Sequence, residues 1–238
     1  MTSAMEIETI ILAAGLQTRY GSDKSKLMAE VQGKPVFDIT IQSILANFPE
    51  SLMTIISSEH FPDFNNHVLQ NYPQARLVFD AEPGNGSAHS LRASLPWKSE
   101  YVFITEANIA YAKSLPPEMM HVLIETGALG VLAATNKLTA AETHKIITLN
   151  PKFCVQTSKL GESFPKNALR NMGVYAVQRS FQEQLQKSAK DVIDIFSRLA
   201  QSTTQIAIVK YYSYYRHTAT IKDIDTWFHL DEKEVYEL

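Results

Sequence analysis

Cysteine is nearly missing from this chain. A single residue, Cys154, stands among 238, which excludes an internal disulfide and suits a reducing compartment. Neither a zinc spacing nor a His–Cys cluster occurs among the seven histidines. No charge of one sign dominates: the formal net charge is −3, and nothing in that balance asks for nucleic acid or an anionic membrane as partner. Long apolar runs are also missing, since stretches such as Ile10 to Ala14 are far too short to span a bilayer. Met1 to Glu8 has no basic start leading into an apolar core, so no signal peptide is expected. With 45% hydrophobic and 20% charged residues, what remains is a cytoplasmic globular protein with enough chain for one sizeable core.

Short apolar runs alternate with helical patterns over the first half. Thr9–Ala13, Leu52–Ser57, Ala75–Phe79, Tyr101–Thr105 and Leu129–Ala133 read as buried strands. Several are apolar almost throughout, as where both faces of a parallel sheet are covered. Helices are expected between them at Val36–Asn47, His60–Asn71, Gly86–Leu95 and Pro117–Thr126. That order predicts an α/β, Rossmann-like, mainly parallel doubly wound sheet. Beyond Asn136 the rhythm changes. His144–Leu149, Lys152–Thr157 and Met172–Val177 read as strands of an antiparallel C-terminal subregion. A helix is expected from Ser180, which has capping-box spacing to Glu183, then a helix over Asp191–Ala200, a long strand over Gln205–Tyr215 and a final helix from Asp225. No linker-like or repeated stretch divides the chain, so one domain is expected over residues 1–238.

The most informative stretch is Leu12-Ala13-Ala14-Gly15 through Arg19 and Lys24 to Lys26, followed by Gly33-Lys34-Pro35. A turn of small residues directly after the first strand lets backbone N–H groups approach a phosphate. Arg19, Lys24, Lys26 and Lys34 outweigh Asp23 and Glu30 locally. An electropositive loop at the carboxyl end of a parallel strand is where α/β sheets bind ligands. A plain β–α turn with solvated cations is the alternative, and the ordered spacing favours phosphate. Neither Gly-x-Gly-x-x-Gly nor Gly-Lys-Ser/Thr is present, which sets aside the dinucleotide fingerprint and the P-loop.

Leu12-Ala-Ala-Gly15, Thr18-Arg19, Lys26 and Gly33-Lys-Pro35 together resemble the N-terminal signature of the sugar-phosphate nucleotidyltransferases, whose relatives include the molybdenum-cofactor guanylyltransferases and the phospho-alcohol cytidylyltransferases. Arg19 to Lys24 is similar to the molybdenum-cofactor branch, and Lys26 stands where the phospho-alcohol branch has its lysine. The chain departs from the pattern at Gln17, in place of a second glycine, and at Ser25, in place of a proline. The resemblance implies a nucleotide-diphospho-sugar transferase-like fold, with a nucleotide-binding half (5–135) and an acceptor- and metal-binding half (136–238). It implies transfer of a nucleoside monophosphate from an NTP to a sugar phosphate or other small phosphorylated acceptor, with release of pyrophosphate. Arg19 and Lys26 would stabilise the reacting phosphates. Leu12, Ala13, Ala14, Gly15 and Lys24 would bind the nucleotide, with Pro83, Gly84, Gly86, Ser87 and Ala88 holding its base.

Arg170-Asn171-Met-Gly173-Val-Tyr175 resembles the family's acceptor-facing strand, and Lys159 stands where a lysine for the acceptor phosphate is frequent. Lys222-Asp223-Ile-Asp225 resembles the segment that completes a Mg²⁺ site, although Asp225 also reads as a helix cap. The family ends its fourth strand in a metal-binding aspartate. Here Ala107 or Asn108 holds that place, which leaves Glu106 as the nearby carboxylate and Asn108 as an uncharged donor. The alternatives are a nucleotide-binding pseudoenzyme lacking a full metal site and a glycosyltransferase of related topology. The run Lys210-Tyr-Tyr-Ser-Tyr-Tyr-Arg216 permits base stacking, but tyrosines favour strands and suit a half-buried sheet or a subunit contact in a homodimer, so no nucleic-acid partner is expected.

Overall fold

A computed structural model describes residues 6–16, 25–136, 145–149, 153–157, 163–185, 189–202, 205–212 and 215–217. In chain order the elements are β1 (Ile7–Leu12), β2 (Glu30–Val31), β3 (Lys34–Pro35), α1 (Val36–Leu45), β4 (Leu52–Ser57), α2 (Pro62–Asn71), β5 (Arg76–Phe79) and α3 (Ser87–Arg92). There follow β6 (Tyr101–Glu106), β7 (Ile109–Tyr111), α4 (Leu115–Thr126), β8 (Gly130–Thr135), β9 (Lys145–Thr148) and β10 (Cys154–Thr157). The last are β11 (Leu169–Gln178), α5 (Gln182–Leu185), α6 (Val192–Leu199), β12 (Ile206–Tyr211) and β13 (Tyr215–His217).

A nine-stranded sheet runs through both halves of the chain, in the order β10-β9-β11-β6-β1-β4-β5, with β8 on β11 and β12 on β8. The apolar run of β1 divides by parity, as alternation along a strand requires. Ile7 and Ile11 enter one core with Phe37 and Ile41 of α1, Phe64 of α2 and Met119 of α4. Ile10 and Leu12 enter the other with Leu91 of α3 and Val192 and Phe196 of α6. Burying each such side chain contributes roughly 1.5–3 kcal/mol. Helix boundaries follow local chemistry. Pro116 falls in the first turn of α4, where no amide donor is missed, and Gly127 ends that helix in the left-handed region at φ 61°. Asp191 and Asp194 form a reciprocal capping box at the start of α6.

Strands β1, β4, β5 and β6 are parallel. The chain runs from β1 to β4 and β5 on one side and returns to β6 on the other. The connections therefore diverge at the carboxyl ends of β1 and β6, the topological switch point at which open α/β sheets bind ligands.

Several expectations change in detail. Strand β11 inserts antiparallel between β6 and β8, so β8 does not pair with the parallel strands before it. The expected strand Gln205–Tyr215 is two: β12 ends at Tyr211 where its partner β8 ends at Thr135, and β13 pairs instead with β7. The helix expected from Gly86 to Leu95 covers Ser87–Arg92 and passes into a turn at Ala93 and Ser94, and Leu95, just before Pro96, is disfavoured from continuing it. Ser180 lies inside a 3₁₀ turn, Arg179–Phe181, which seats the wholly buried Phe181, and the helix follows at Gln182. The helix expected from Asp225 lies outside the described residues. Among those residues no helix is long and apolar enough to cross a membrane.

Candidate active site

The end of β1 is fixed from both sides. Ala13 N donates to Ile56 O of β4 at 2.7 Å, and Leu12 O accepts from Ala107 N, just past β6, at 3.0 Å. Ala13 and Ala14 are small enough to be buried there, and Gly15 emerges with no heavy atom of the described residues within 4 Å of where a β-carbon would stand. Lys26 opens the short 3₁₀ turn Lys26–Met28. Ser25 caps that turn by accepting from Leu27 N at 3.3 Å, and its own N–H donates to Asp63 Oδ2 at 3.3 Å. The serine that departs from the family pattern therefore fixes the lysine that follows it. Gly33-Lys34-Pro35 does something else. Gln32 and Gly33, at φ 50° and 75°, make the left-handed two-residue turn of the β2–β3 hairpin, and Pro35 leads into α1.

Opposite this loop lies the segment 82–88. Asp80 braces its entry, accepting from Glu82 N at 3.0 Å and Ser90 Oγ at 2.6 Å. Its exit is tied to α6. Ser87 N donates to Asp191 Oδ1 at 3.1 Å, Val192 N donates to Ser87 Oγ at 3.0 Å, and Ala88 N donates to Lys190 O at 3.0 Å. Gly86 has φ 101°, and a β-carbon there would stand 2.3 Å from Lys190 O. The start of α6 therefore requires a glycine here.

On the third side, Glu106 and Asn108 face the cleft while Ala107 between them points into the core with no exposure. Gly173 stands at a register shift of β11 against β8, with φ 74°. Its missing side chain leaves room for the carboxyl of Glu106. Asn171 Nδ2 donates to the Tyr175 hydroxyl at 2.8 Å, and its Oδ1 is buried with no hydrogen-bond partner among the described residues. Burial, and then the nearby Glu106 carboxylate, push the Tyr175 phenol well above its ordinary value of 10.0, so it stays protonated. Lys145, on β9, completes this wall with its Nζ 3.5 Å from Asp191 Oδ2.

One cleft of about 370 Å³ gathers these groups. Of the residues singled out from sequence, Leu12, Ala13, Ala14, Gly15, Lys26, Gly84, Gly86, Ser87, Glu106, Asn108 and Asn171 line it. Pro83 does not, Ala88 is buried in the core, and Gly173 backs Glu106 from behind. Arg19, Lys24, Lys159, Asp223 and Asp225 lie outside the described residues. The family model described as a MobA-like NTP transferase domain matches residues 9–152. The chain belongs to that family.

Relatives of this NTP-transferase domain agree. The bifunctional protein GlmU of Thermodesulfovibrio yellowstonii is 31% identical over 99 residues, 39% of this chain and 20% of its own length. The bifunctional IPC transferase and DIPP synthase of Thermococcus kodakarensis is 26% identical over 104 residues, 44% of this chain and 24% of its own. The chain thus spans about a quarter or less of these two relatives. Among solved structures, the inositol-1-phosphate CTP transferase from T. maritima superposes with TM-score 0.69 at 16% identity, covering 100% of this chain and 96% of that one. A putative glucose-1-phosphate thymidylyltransferase from Bacillus anthracis, in complex with a sucrose, superposes with TM-score 0.73 at 12% identity, covering 97% and 99%. At such identities the two structures establish the fold alone: a mainly parallel α/β sheet with antiparallel strands.

Lys145, Ser90 and Asp191 also line the cleft and were not singled out from the sequence. Asp191 and Asp194 carried a usable signal, since their spacing before an apolar run is that of a helix cap. Lys145 carried none, because only the pairing of β9 with β11 brings it to the cleft.

Proposed function

We propose that the protein transfers the nucleoside monophosphate of an NTP to a small phosphorylated acceptor. The acceptor's phosphate oxygen attacks the α-phosphorus, the bond from that phosphorus to the bridging oxygen breaks, and its electron pair leaves on pyrophosphate. Such a displacement needs no protein nucleophile, only positioning and charge stabilisation. The observation that carries this reading is the meeting of Gly15, Lys26, Gly84, Glu106 and Asn171 around one cleft at the switch point of the sheet.

In this reading Lys26 lies beside the α-phosphate and offsets charge that develops there. Arg19 and Lys24 hold the phosphates that depart, and the backbone at Leu12–Gly15 accommodates them. Segment 83–88 holds the base. Asn171 Oδ1, buried and without a partner among the described residues, takes a hydroxyl of the acceptor, because leaving such an atom unmatched costs about 1–3 kcal/mol. Gly173 shapes the same wall, and Lys159 contributes to binding the acceptor phosphate. We read residues 1–238 as one domain, and the single cysteine fits a cytoplasmic setting.

The donors facing the cleft fit Mg²⁺. Glu106 offers a carboxylate and Asn108 an amide oxygen on the same side, and Mg²⁺ binds through one or two carboxylates while keeping water and phosphate ligands. Among the described residues no group of three or more His, Cys, Asp or Glu is arranged to hold a metal ion, so we assign completion of the site to Asp223 and Asp225. When bound, the ion neutralises phosphate charge.

Incubation with each NTP, Mg²⁺ and a panel of sugar 1-phosphates, inositol 1-phosphate and phospho-alcohols tests the proposal. Pyrophosphate should appear with a matched pair of substrates and only when an acceptor is present. NTP binding indifferent to Mg²⁺, with no pyrophosphate from any acceptor, would make the protein a nucleotide-binding pseudoenzyme.

A further inference from the structure

Two helices that start at the rim of the cleft share one cap. Asp191 is the N-cap of α6, and its side chain accepts from the backbone of that helix's third residue, Asp194. The same carboxylate reaches across 104 positions of sequence, and Oδ1 accepts from Ser87 N at 3.1 Å and Ser87 Oγ at 3.4 Å, where α3 begins. Ser87 reciprocates by accepting from Val192 N at 3.0 Å. The other oxygen, Oδ2, faces Lys145 Nζ at 3.5 Å, and that ammonium also lies 3.6 Å from Asp194 Oδ1. Ser87, Lys145 and Asp191 all line the cleft. The amide at the start of α3 is therefore satisfied by an internal carboxylate, so α3 offers no vacant N–H at Ser87 for a phosphate.

We propose that Asp191 is a positioning residue for the nucleotide: anchored by Lys145, it holds Ser87 and so fixes the base-holding segment 84–88 against the start of α6. The inference rests on the nucleotidyltransferase reading, but it concerns a residue on the acceptor half acting on the nucleotide half. Segment 84–88 makes its exit contacts through residues 190–192, and Gly86 leaves no slack against Lys190 O. Loss of the Asp191 carboxylate frees the Ser87 amide and hydroxyl together and lets the segment move away from the base.

Titration calorimetry of the full chain with each NTP in Mg²⁺ tests this directly, without an acceptor. Asp191→Ala should weaken binding of the preferred NTP by about tenfold, the scale of one lost helix cap. Asp191→Asn keeps an oxygen at Oδ1 for Ser87 but loses the ion pair with Lys145, so it should rescue part of that loss and bind as Lys145→Met does. Lys145→Met should weaken binding several-fold in the wild-type background and add nothing in Asp191→Ala, because the carboxylate it anchors is gone. Should Asp191→Ala fail to fold, Ser87→Ala opens the same contact from the other side and should weaken NTP binding. Wild-type affinity in a folded Asp191→Ala or Ser87→Ala protein overturns the proposal, as does Asp191→Asn binding as poorly as Asp191→Ala. Equal, additive losses from Lys145→Met in both backgrounds overturn it too. If the wild-type protein binds no NTP, the nucleotidyltransferase reading itself falls, a result distinct from wild-type affinity in the variants.

Discussion

The carboxyl group of Glu106 fills the space that Gly173 leaves empty: a β-carbon on Gly173 would stand 2.6 Å from both Cδ and Oε1 of Glu106. A strand from the second half of the chain thus sets where the last carboxylate of β6 can go. Gly173→Ala should lower stability by about 1–2 kcal/mol for its left-handed backbone alone, and it should also push Glu106 from its seat. A fall in the thermal midpoint with a higher Mg²⁺ requirement for pyrophosphate release is expected. Loss of stability with an unchanged Mg²⁺ requirement would separate Glu106 from the metal.

Gly86 has one demand shown by the fold and one proposed for it. Close approach to a base is the reason legible in sequence, and the carbonyl of Lys190 behind it is the one only the fold shows. Even Gly86→Ala should therefore cost about 1–3 kcal/mol, since φ 101° and ψ 164° lie in a region almost reserved for glycine, before the collision with backbone is added. Urea denaturation and NTP titration of the same variant should fall together. Full stability would mean that residues 190–192 do not close on this segment.

Lys26 faces the cleft from a turn whose geometry Ser25 and Asp63 hold. Lys26→Ala should lower kcat by roughly 10²–10³, as for loss of one donor aimed at developing charge. Arg19→Ala should remove on the order of 2–4 kcal/mol of transition-state stabilisation. Both are read from pyrophosphate release under saturating NTP. Wild-type turnover by either variant would remove that residue from the phosphate site.

Stability should decline in alkali for an identifiable reason. Burial pushes the Tyr111 phenol up to about 12, and Tyr175 is raised as well, both from 10.0. Above pH 10 the unfolded chain gives up these protons while the folded chain keeps them. Stability is thus level below about pH 10 and drops as pH climbs toward 12, by about 1.4 kcal/mol per unit for each group. The urea midpoint against pH should show this slope, and Tyr111→Phe should make it shallower.

The first half of the chain was legible because its physics is local. The parity of Ile7, Ile10, Ile11 and Leu12, the small turn at Ala13–Gly15 and the spacing to Lys26 are all properties of short windows, and all meet at one end of the sheet. The second half was legible only as elements. That β11 would insert antiparallel beside β6 depends on pairing across about seventy residues. Asn171 came to the cleft by that insertion, and Lys145 by pairing onto it. The shared cap of Ser87 and Asp191 is likewise a contact between helices that neither local sequence announces.

The end of β6 decides what the missing aspartate means. From sequence, either Ala107 or Asn108 could hold its place; the structure separates them. Ala107 has no exposure, its N–H is spent on Leu12 O, and its carbonyl accepts from Thr40 Oγ1 at 3.1 Å. Ala107→Asp would bury a charge among Phe37, Ile41 and Ile109, at a cost of several kcal/mol, and should yield little folded protein. Asn108 is buried to 5% exposure yet turned to the cleft beside Glu106. Asn108→Asp is nearly isosteric and adds a full negative charge at the end of β6, which otherwise offers Mg²⁺ one carboxylate and an amide. The wild-type enzyme should accordingly need high Mg²⁺ concentrations. Asn108→Asp should shift that requirement downward and raise the rate of pyrophosphate release, while Asp223→Asn should abolish it. A metal requirement unmoved by Asn108→Asp would place the cation elsewhere than at the end of β6.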